Sequence, residues 1–208
     1  LLLIYGGRSL TNNTLGVGTG AWATCMEKWM FKLLILDVDG VLTDGTKEYD
    51  RHHNVLSKKF LCKDFTAIKR FIAAGVKVVM ISGDEWNRSM AEKRNIDFFC
   101  SRDNNLSLDK SKYIHKFCED DQVSTAEMAF VGDDYFDLSM FESLDATYCP
   151  SDAPQAIKEC ATTVCDVKGG EGVLVEIYDR CASDWLVEAS PEEVAKLDKE
   201  ETSSKEMG

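Results

Sequence analysis

A doubly wound, mainly parallel α/β sheet with a β-hairpin flap and no cap domain is the fold this sequence predicts. Three observations predict it. Short apolar runs without polar alternation recur at residues 33–36, 76–81 and 128–131, and such runs read as strands buried on both faces. Between them lie segments with apolar residues three or four positions apart, the strand–helix rhythm of parallel sheets. Two of the runs end in acidic clusters, Asp37-Val38-Asp39-Gly40 and Gly132-Asp133-Asp134, at the carboxyl ends of strands, where open α/β sheets hold their ligands.

The elements follow in order. Residues 1–30 are rich in Gly, Asn and Thr and are read as an N-terminal extension outside the catalytic fold, with Met26 or Met30 as candidate starts. The glycine pattern at 16–20 lacks the strand–turn–helix setting of a nucleotide loop. Residues 33–36 form the first strand. Residues 46–49 and 55–60 flank a polar turn at 50–54 and predict a hairpin. His52 and His53 fall in that turn, and as neighbours on an extended chain they point apart rather than share an ion. Asp64 is placed as the N-cap of a helix carrying Phe65, Ile68, Phe71 and Ile72, which Gly75 ends. A strand at 76–81 leads to Ser82-Gly83-Asp84. A helix at 85–94, a short strand at 96–100 and a helix at 106–118 come next. The strand at 128–131 precedes Gly132-Asp133-Asp134-Tyr135-Phe136-Asp137. A helix at 138–144, a strand at 146–149, a helix at 154–160 with Pro at its start, an extended stretch at 162–167 and a helix ending near Cys181 complete a domain over 31–181. Residues 182–208 carry eight acidic residues against three lysines; Trp185-Leu186-Val187 is an apolar stretch able to dock, and the rest is read as a short solvated helix and a disordered tail.

The totals exclude several functions. The chain has 208 residues, 44% hydrophobic and 29% charged, enough for one domain with a full core. Its formal net charge of -12 repels nucleic acid and anionic membranes, so neither is an expected partner. No apolar run approaches the length of a membrane span. The eight cysteines form no C-x-x-C pair and sit mostly in apolar runs, as buried, reduced thiols of a cytoplasmic protein do.

The candidate chemistry starts at Asp37 and Asp39. Two carboxylates this close stay ionised together only with a cation or strong donors between them. A hard cation such as Mg²⁺ suits such oxygen ligands, and an ionised Asp can act as nucleophile to form an aspartyl-phosphate. Asp39 can then protonate the leaving oxygen and activate water. Ser82 and Gly83, at a strand end, offer a hydroxyl and N–H groups to phosphate. Lys110 offers an ammonium that neutralises both phosphate and nucleophile; Lys112 is the competing lysine on another side of the helix. Asp133 is the second metal-ligand candidate, with Asp134 and Asp137 supporting it as outer partners or helix caps.

These four pieces resemble the motif set of the haloacid dehalogenase superfamily. The Asp37-Val38-Asp39-Gly40-Val41-Leu42-Thr43-Asp44-Gly45 stretch and the hairpin resemble one cap-less branch, the 3-deoxy-D-manno-octulosonate (KDO) 8-phosphate phosphatases and the nonulosonate 9-phosphate phosphatases. The resemblance covers residues 32–181. It implies a Mg²⁺-dependent phosphatase of a phosphorylated 2-keto-3-deoxy sugar acid, with Asp37, the Asp39 carbonyl and Asp133 on the metal. It also implies a homotetramer in which a neighbour's C-terminal segment covers the cleft. Lys168-Gly169-Gly170-Glu171-Gly172 resembles that covering segment, which makes Gly170 and Glu171 substrate-side residues; Lys59 and Lys63, with Asp64, resemble the basic substrate-side segment. Asp84 stands where the KDO 8-phosphate enzymes carry Arg. An acid there suits hydroxyls or an amine and tilts the reading towards a nine-carbon sugar acid. The alternatives are a catalytically weak assembly domain of a CMP-sialate synthetase type of protein, or a phosphatase of another small ester.

Overall fold

The computed structural model describes residues 31–102 and 109–203. The extension at 1–30, with its glycine pattern, and the last residues, 204–208, lie outside them. The strands in chain order are β1 (Leu33–Leu36), β2 (Glu48–Tyr49), β3 (Val55–Ser57), β4 (Lys77–Ser82), β5 (Asp97–Cys100), β6 (Met128–Val131), β7 (Ala146–Cys149) and β8 (Thr163–Val164). The helices are α1 (Cys62–Ala73), α2 (Arg88–Glu92), α3 (Lys112–Asp121), α4 (Leu138–Ser143), α5 (Gln155–Cys160), α6 (Val173–Asp184) and α7 (Pro191–Ser203).

Six strands form one sheet in the order β5-β4-β1-β6-β7-β8, all neighbours parallel. The chain works outward from β1 through β4 to β5, then returns to β6 on the other side of β1. The strand order therefore reverses between β1 and β6, which is where such sheets open a crevice at their carboxyl edge. Asp37 follows β1 and Asp133 follows β6 by one glycine, so the topology brings the two acidic clusters to one place.

The period of two along each strand divides the apolar residues between two cores. Leu34, Leu36, Val78 and Met80 pack with Ile68 and Phe71 of α1 and Ile177 of α6. Leu33, Ile35, Val79 and Ile81 pack with Phe117 of α3, Met140 and Phe141 of α4 and Ile157 of α5. Covering on both faces explains why these strands are continuous apolar runs. Each fully buried Leu, Ile or Phe contributes about 1.5–3 kcal/mol.

Several expectations need correction. The hairpin is shorter than predicted, a two-stranded β2–β3 pair with an irregular register and an Asp50 carboxylate that accepts the His52 and Asn54 N–H groups across the turn. Helix α1 starts at Cys62, after Leu61, so Asp64 is not its cap. Asp64 is buried and instead accepts the Leu174 N–H at 2.8 Å and the Val175 N–H at 3.3 Å; it caps α6, a helix more than a hundred residues away. The segment after β4 splits into a 3-10 turn (Glu85–Asn87), capped by the Asp84 side chain, and α2. Among the described residues the helix expected at 106–118 starts only at Lys112; residues 103–108 are not described. Cys62 and Cys160 are exposed rather than buried.

The acidic tail is not simply solvated. Trp185 packs edge-on against Phe31, ring centroids 5.1 Å apart, and Leu186 is buried. Helix α7 lies against α1, where Lys69 pairs with Asp198 and, at 2.6 Å, with Glu201. The docking of Trp185 and Leu186 was expected; the solvated helix was not borne out, because Asp198 and Glu201 find basic partners outside the tail, in Lys69 of α1 and, for Glu201, Arg94 at 3.5 Å. No helix among the described residues is long and apolar enough to cross a membrane.

Candidate active site

The strand-end loops enclose a cleft of about 160 Å³ lined by Asp37, Asp39, Lys47, Ser82, Gly83, Asp84, Ser101, Arg102, Lys110, Asp134, Phe136 and Asp137. Its floor is a buried charge cluster. The Lys110 ammonium donates to Asp37 Oδ1 and to Asp137 Oδ1, both at 2.6 Å. Asp137 uses its other oxygen to accept the N–H groups of Asp133 and Asp134 at 2.9 and 3.1 Å, which folds the loop after β6 so that Asp133 turns towards Asp37. Carboxylate oxygens of Asp37, Asp133 and Asp137 lie within 4.8 Å of one another.

Three acids around one ammonium leave an excess of negative charge out of water. Burial raises the Asp37 pKa to about 6, against the opposing pull of Lys110. Burial, then Asp37 and Asp137, push Asp133 up to about 9. Burial disfavours the Lys110 ammonium, but Asp37 and Asp137 outweigh it and hold its pKa above the usual lysine range. Asp133 Oδ1 is buried with no hydrogen-bond partner. An orphaned carboxylate oxygen facing two other acids is what a hard divalent cation would satisfy, so the donor set fits an oxygen-ligated metal. Gly40 makes the close approach possible. It has φ +92°, and a Cβ built on it would lie 2.8 Å from Asp133 Oδ1 and closer still to Cγ and Oδ2.

A second network forms the other wall. Lys58, its side chain fully buried, donates to both Asp39 oxygens at 2.7 and 2.9 Å, to Asp84 Oδ2 at 2.8 Å and to Asn87 Oδ1 at 2.8 Å. Asn87 Nδ2 donates to Asp39 Oδ2 and to Ser82 Oγ, both at 3.0 Å. Ser82 Oγ also accepts the Asp84 N–H at 3.1 Å. With both acceptor sites taken, its own proton is left to donate outward. Asp84 is bonded by Lys47 at 2.7 Å. Burial opposes its ionisation, yet Lys47 and Lys58 hold its pKa far below the usual carboxylate range.

The chain is similar to known proteins. Haloacid dehalogenase-like hydrolases match over residues 103–177. The 3-deoxy-D-manno-octulosonate 8-phosphate phosphatase KdsC of Haemophilus influenzae is 30% identical over 151 residues, 71% of this chain and 81% of that protein. The chain belongs to the haloacid dehalogenase superfamily, in its KDO 8-phosphate phosphatase branch. It is a phosphatase of that superfamily. The cobalt-bound deoxy-D-mannose-octulosonate 8-phosphate phosphatase YrbI of H. influenzae superposes with a TM-score of 0.67 at 29% identity, covering 74% of this chain and 89% of that one. A haloacid dehalogenase superfamily (subfamily III A) hydrolase of Legionella pneumophila superposes with a TM-score of 0.71 at 26% identity, over 84% and 93% of the two chains. These two neighbours share the mainly parallel, cap-less α/β sheet described above.

Within this phosphatase fold the structure brings Asp37, Asp39, Ser82, Gly83, Asp84, Lys110, Asp134 and Asp137 to one cleft, with Asp133 joining the carboxylates at its floor. Lys112 is exposed. Asp137, expected as an outer partner, contributes an oxygen to the carboxylate cluster itself. The exposed Asp134 caps the 3-10 turn Tyr135–Asp137 through the Tyr135 N–H. Lys59, Lys63, Gly170 and Glu171 do not line this chain's own cleft, and the last two were expected at the cleft of a neighbouring copy. Lys59 is exposed and outside the cleft; its neighbour Lys58 turns inward behind the wall to Asp39 and Asp84 instead, because adjacent residues of an extended segment point apart. Lys63, Gly170 and Glu171 line a separate open groove with Leu61, Asp166 and Arg180. Gly170 donates its N–H to Val41 O at 2.9 Å, so this segment braces the loop that carries Gly40. Asp84 is spent on Lys47 and Lys58 and is not the free acid that the sequence suggested.

Sequence reasoning missed Lys58, Asn87, Lys47, Arg102 and Phe136. A polar Asn at a buried helical position is a readable signal for Asn87. No local pattern marks which of Lys58 and Lys59 turns inward.

Proposed function

We propose that this chain is a divalent-metal-dependent phosphomonoester hydrolase, with Mg²⁺ as its metal, that acts through an aspartyl-phosphate on a phosphorylated 2-keto-3-deoxy sugar acid. The observation that carries the reading is the pairing of Lys110 with Asp37 beside a partnerless Asp133 oxygen at the switch point of the sheet. The substrate class rests on the KDO 8-phosphate phosphatases among its relatives. Asp37, Asp133 and the Asp39 carbonyl would hold the metal, with Asp137 close by. The cation supplies positive charge that offsets the clustered carboxylates and the incoming phosphate.

The chain's own residues do the rest. Lys110 and the Ser82 hydroxyl orient the phosphate, joined by N–H groups at Gly83. An Asp37 oxygen attacks phosphorus as the ester oxygen departs. Asp39, fixed in one orientation by Lys58 and Asn87, acts as the general acid that hands a proton to that leaving oxygen. Asp39 then takes a proton from water as the water oxygen attacks the aspartyl-phosphate, which regenerates Asp37 and releases phosphate. The cleft has no cap, and other copies in a homotetramer are taken to close it.

The test is phosphate release from KDO 8-phosphate and from nonulosonate 9-phosphates, with and without EDTA. Metal-dependent turnover on one of them is expected. Turnover that persists in EDTA, or none on any sugar acid phosphate, overturns the reading.

A further inference from the structure

The wall of the cleft away from Asp37 carries charge that the phosphate chemistry does not use. Lys58 spends its three donors on Asp39, Asp84 and Asn87, and Lys110 is buried between Asp37 and Asp137. Lys47 differs. Its ammonium has one close partner among the described residues, Asp84 Oδ2 at 2.7 Å, with Asp39 Oδ2 at 3.7 Å. Its side chain is 23% exposed and lines the cleft. A lysine has three donors, so Lys47 holds N–H capacity that faces a ligand.

Asp84 has most of its acceptor capacity taken up. Lys47 and Lys58 both bond its Oδ2, and the Trp86 N–H bonds Oδ1 at 3.0 Å. Its charge is neutralised within the wall and serves to brace Lys47. Arg102 lines the same cleft, its Nε close over Gly83, where a Cβ would lie 2.8 Å away. Among the described residues this wall therefore offers a braced lysine and a guanidinium, and its acids Asp39 and Asp84 are already paired with lysines. That pattern takes an anion, not an amine.

We propose that Lys47, held in place by Asp84, is the specificity-determining residue that receives the carboxylate of the sugar acid, with Arg102 as a second cation in the same cleft. The proposal rests on the sugar-acid reading above. It gives the hairpin flap a task, since Lys47 immediately precedes β2 and arrives at the cleft with it. A short charge-assisted hydrogen bond to a carboxylate is directional and stronger than a neutral one. A site built for such a group discriminates strongly against an analogue that lacks it.

The experiment compares kcat/KM for KDO 8-phosphate with that for D-arabinose 5-phosphate, a sugar phosphate without the carboxylate, in the full chain and its Lys47→Met and Lys47→Arg variants. In Lys47→Met the ratio of the two values is expected to fall about ten- to a hundredfold, the worth of one charge-assisted hydrogen bond, mainly through KM for KDO 8-phosphate. Lys47→Arg is expected to restore most of the ratio. Equal losses on both substrates, with the ratio kept, overturn the proposal and leave the sugar-acid reading intact. A wild-type protein that hydrolyses D-arabinose 5-phosphate but no sugar acid phosphate overturns both.

Discussion

The substitution Gly40→Ala tests how closely the two acidic loops must approach. A single methyl at Gly40 would fall inside the Asp133 carboxylate, 2.8 Å from Oδ1 and nearer to the other two atoms. Real Cβ atoms keep at least 3.0 Å from such neighbours, so the carboxylate has to retreat by roughly 1 Å, and a misplacement of that size costs about a hundredfold in rate. The backbone adds its own cost, because Gly40 sits at φ +92° and an L-residue with positive φ is strained by about 1–2 kcal/mol. Gly40 lies in a loop, so the sheet and both cores are left in place. The expected result is a phosphatase that melts a few degrees lower, needs at least tenfold more Mg²⁺ for half-maximal activity, and turns over about a hundredfold more slowly at saturating metal. Metal titration of activity, with a thermal melt on the same sample, checks this. A variant that binds Mg²⁺ and turns over within threefold of wild type would refute the claim that Asp133 must reach Asp37 through the space over Gly40.

Three further outcomes are expected. Lys110→Met leaves Asp37 and Asp137 buried without their ammonium; breaking such a pair costs about 3–5 kcal/mol, and both the denaturation midpoint and phosphate release should drop sharply, whereas an exposed, dispensable lysine would change neither. Metal affinity should rise with pH between about 6 and 9, by up to about tenfold per pH unit, because Asp37 and Asp133, raised to about 6 and about 9, must lose their protons to bind a cation; calorimetric titration in buffers of different ionisation heat should also detect proton release, and a pH-independent affinity contradicts this. Asp64 binds its proton more tightly folded than unfolded, burial having raised it to about 6, so its contribution to stability is complete below pH 3.8 and is lost, by about 3 kcal/mol, as pH rises through 6. Asp64→Asn keeps an oxygen for the Leu174 and Val175 N–H groups and should flatten the urea midpoint between pH 4 and 7 relative to wild type; an identical pH profile in the two proteins speaks against it.

What the chain reveals without coordinates follows the range of each interaction. Strand β1 with Asp37 and strand β6 with Asp133 are legible because burial on both faces demands an unbroken apolar run, and the acids follow within two residues. Their meeting is legible too, since the strand–helix rhythm implies a doubly wound sheet. Lys58 was not legible: which of two adjacent lysines turns inward depends on an irregular two-residue pairing in the hairpin. Asp64 looked like a local cap because Asp is common there, yet it serves a helix distant in sequence. Gly169 and Gly170 resemble part of a covering segment, but within the chain Gly169 is pressed against the Gly40 and Thr43 carbonyls, a close packing that spacing alone does not encode. Asp84 suggested a free acid until the two lysines from the hairpin side were in view. Helix α7 read as solvated because its acids outnumber its own lysines, while Lys69 waits on α1.

The covalent step is open to one decisive measurement. Rapid acid quenching of the working phosphatase, followed by peptide mass spectrometry, should find one added phosphoryl group on the peptide that contains Asp37, and none in Asp37→Asn, which should also lose phosphate release by at least about a thousandfold. A phosphoryl group on another residue, or undiminished turnover in Asp37→Asn, contradicts the account.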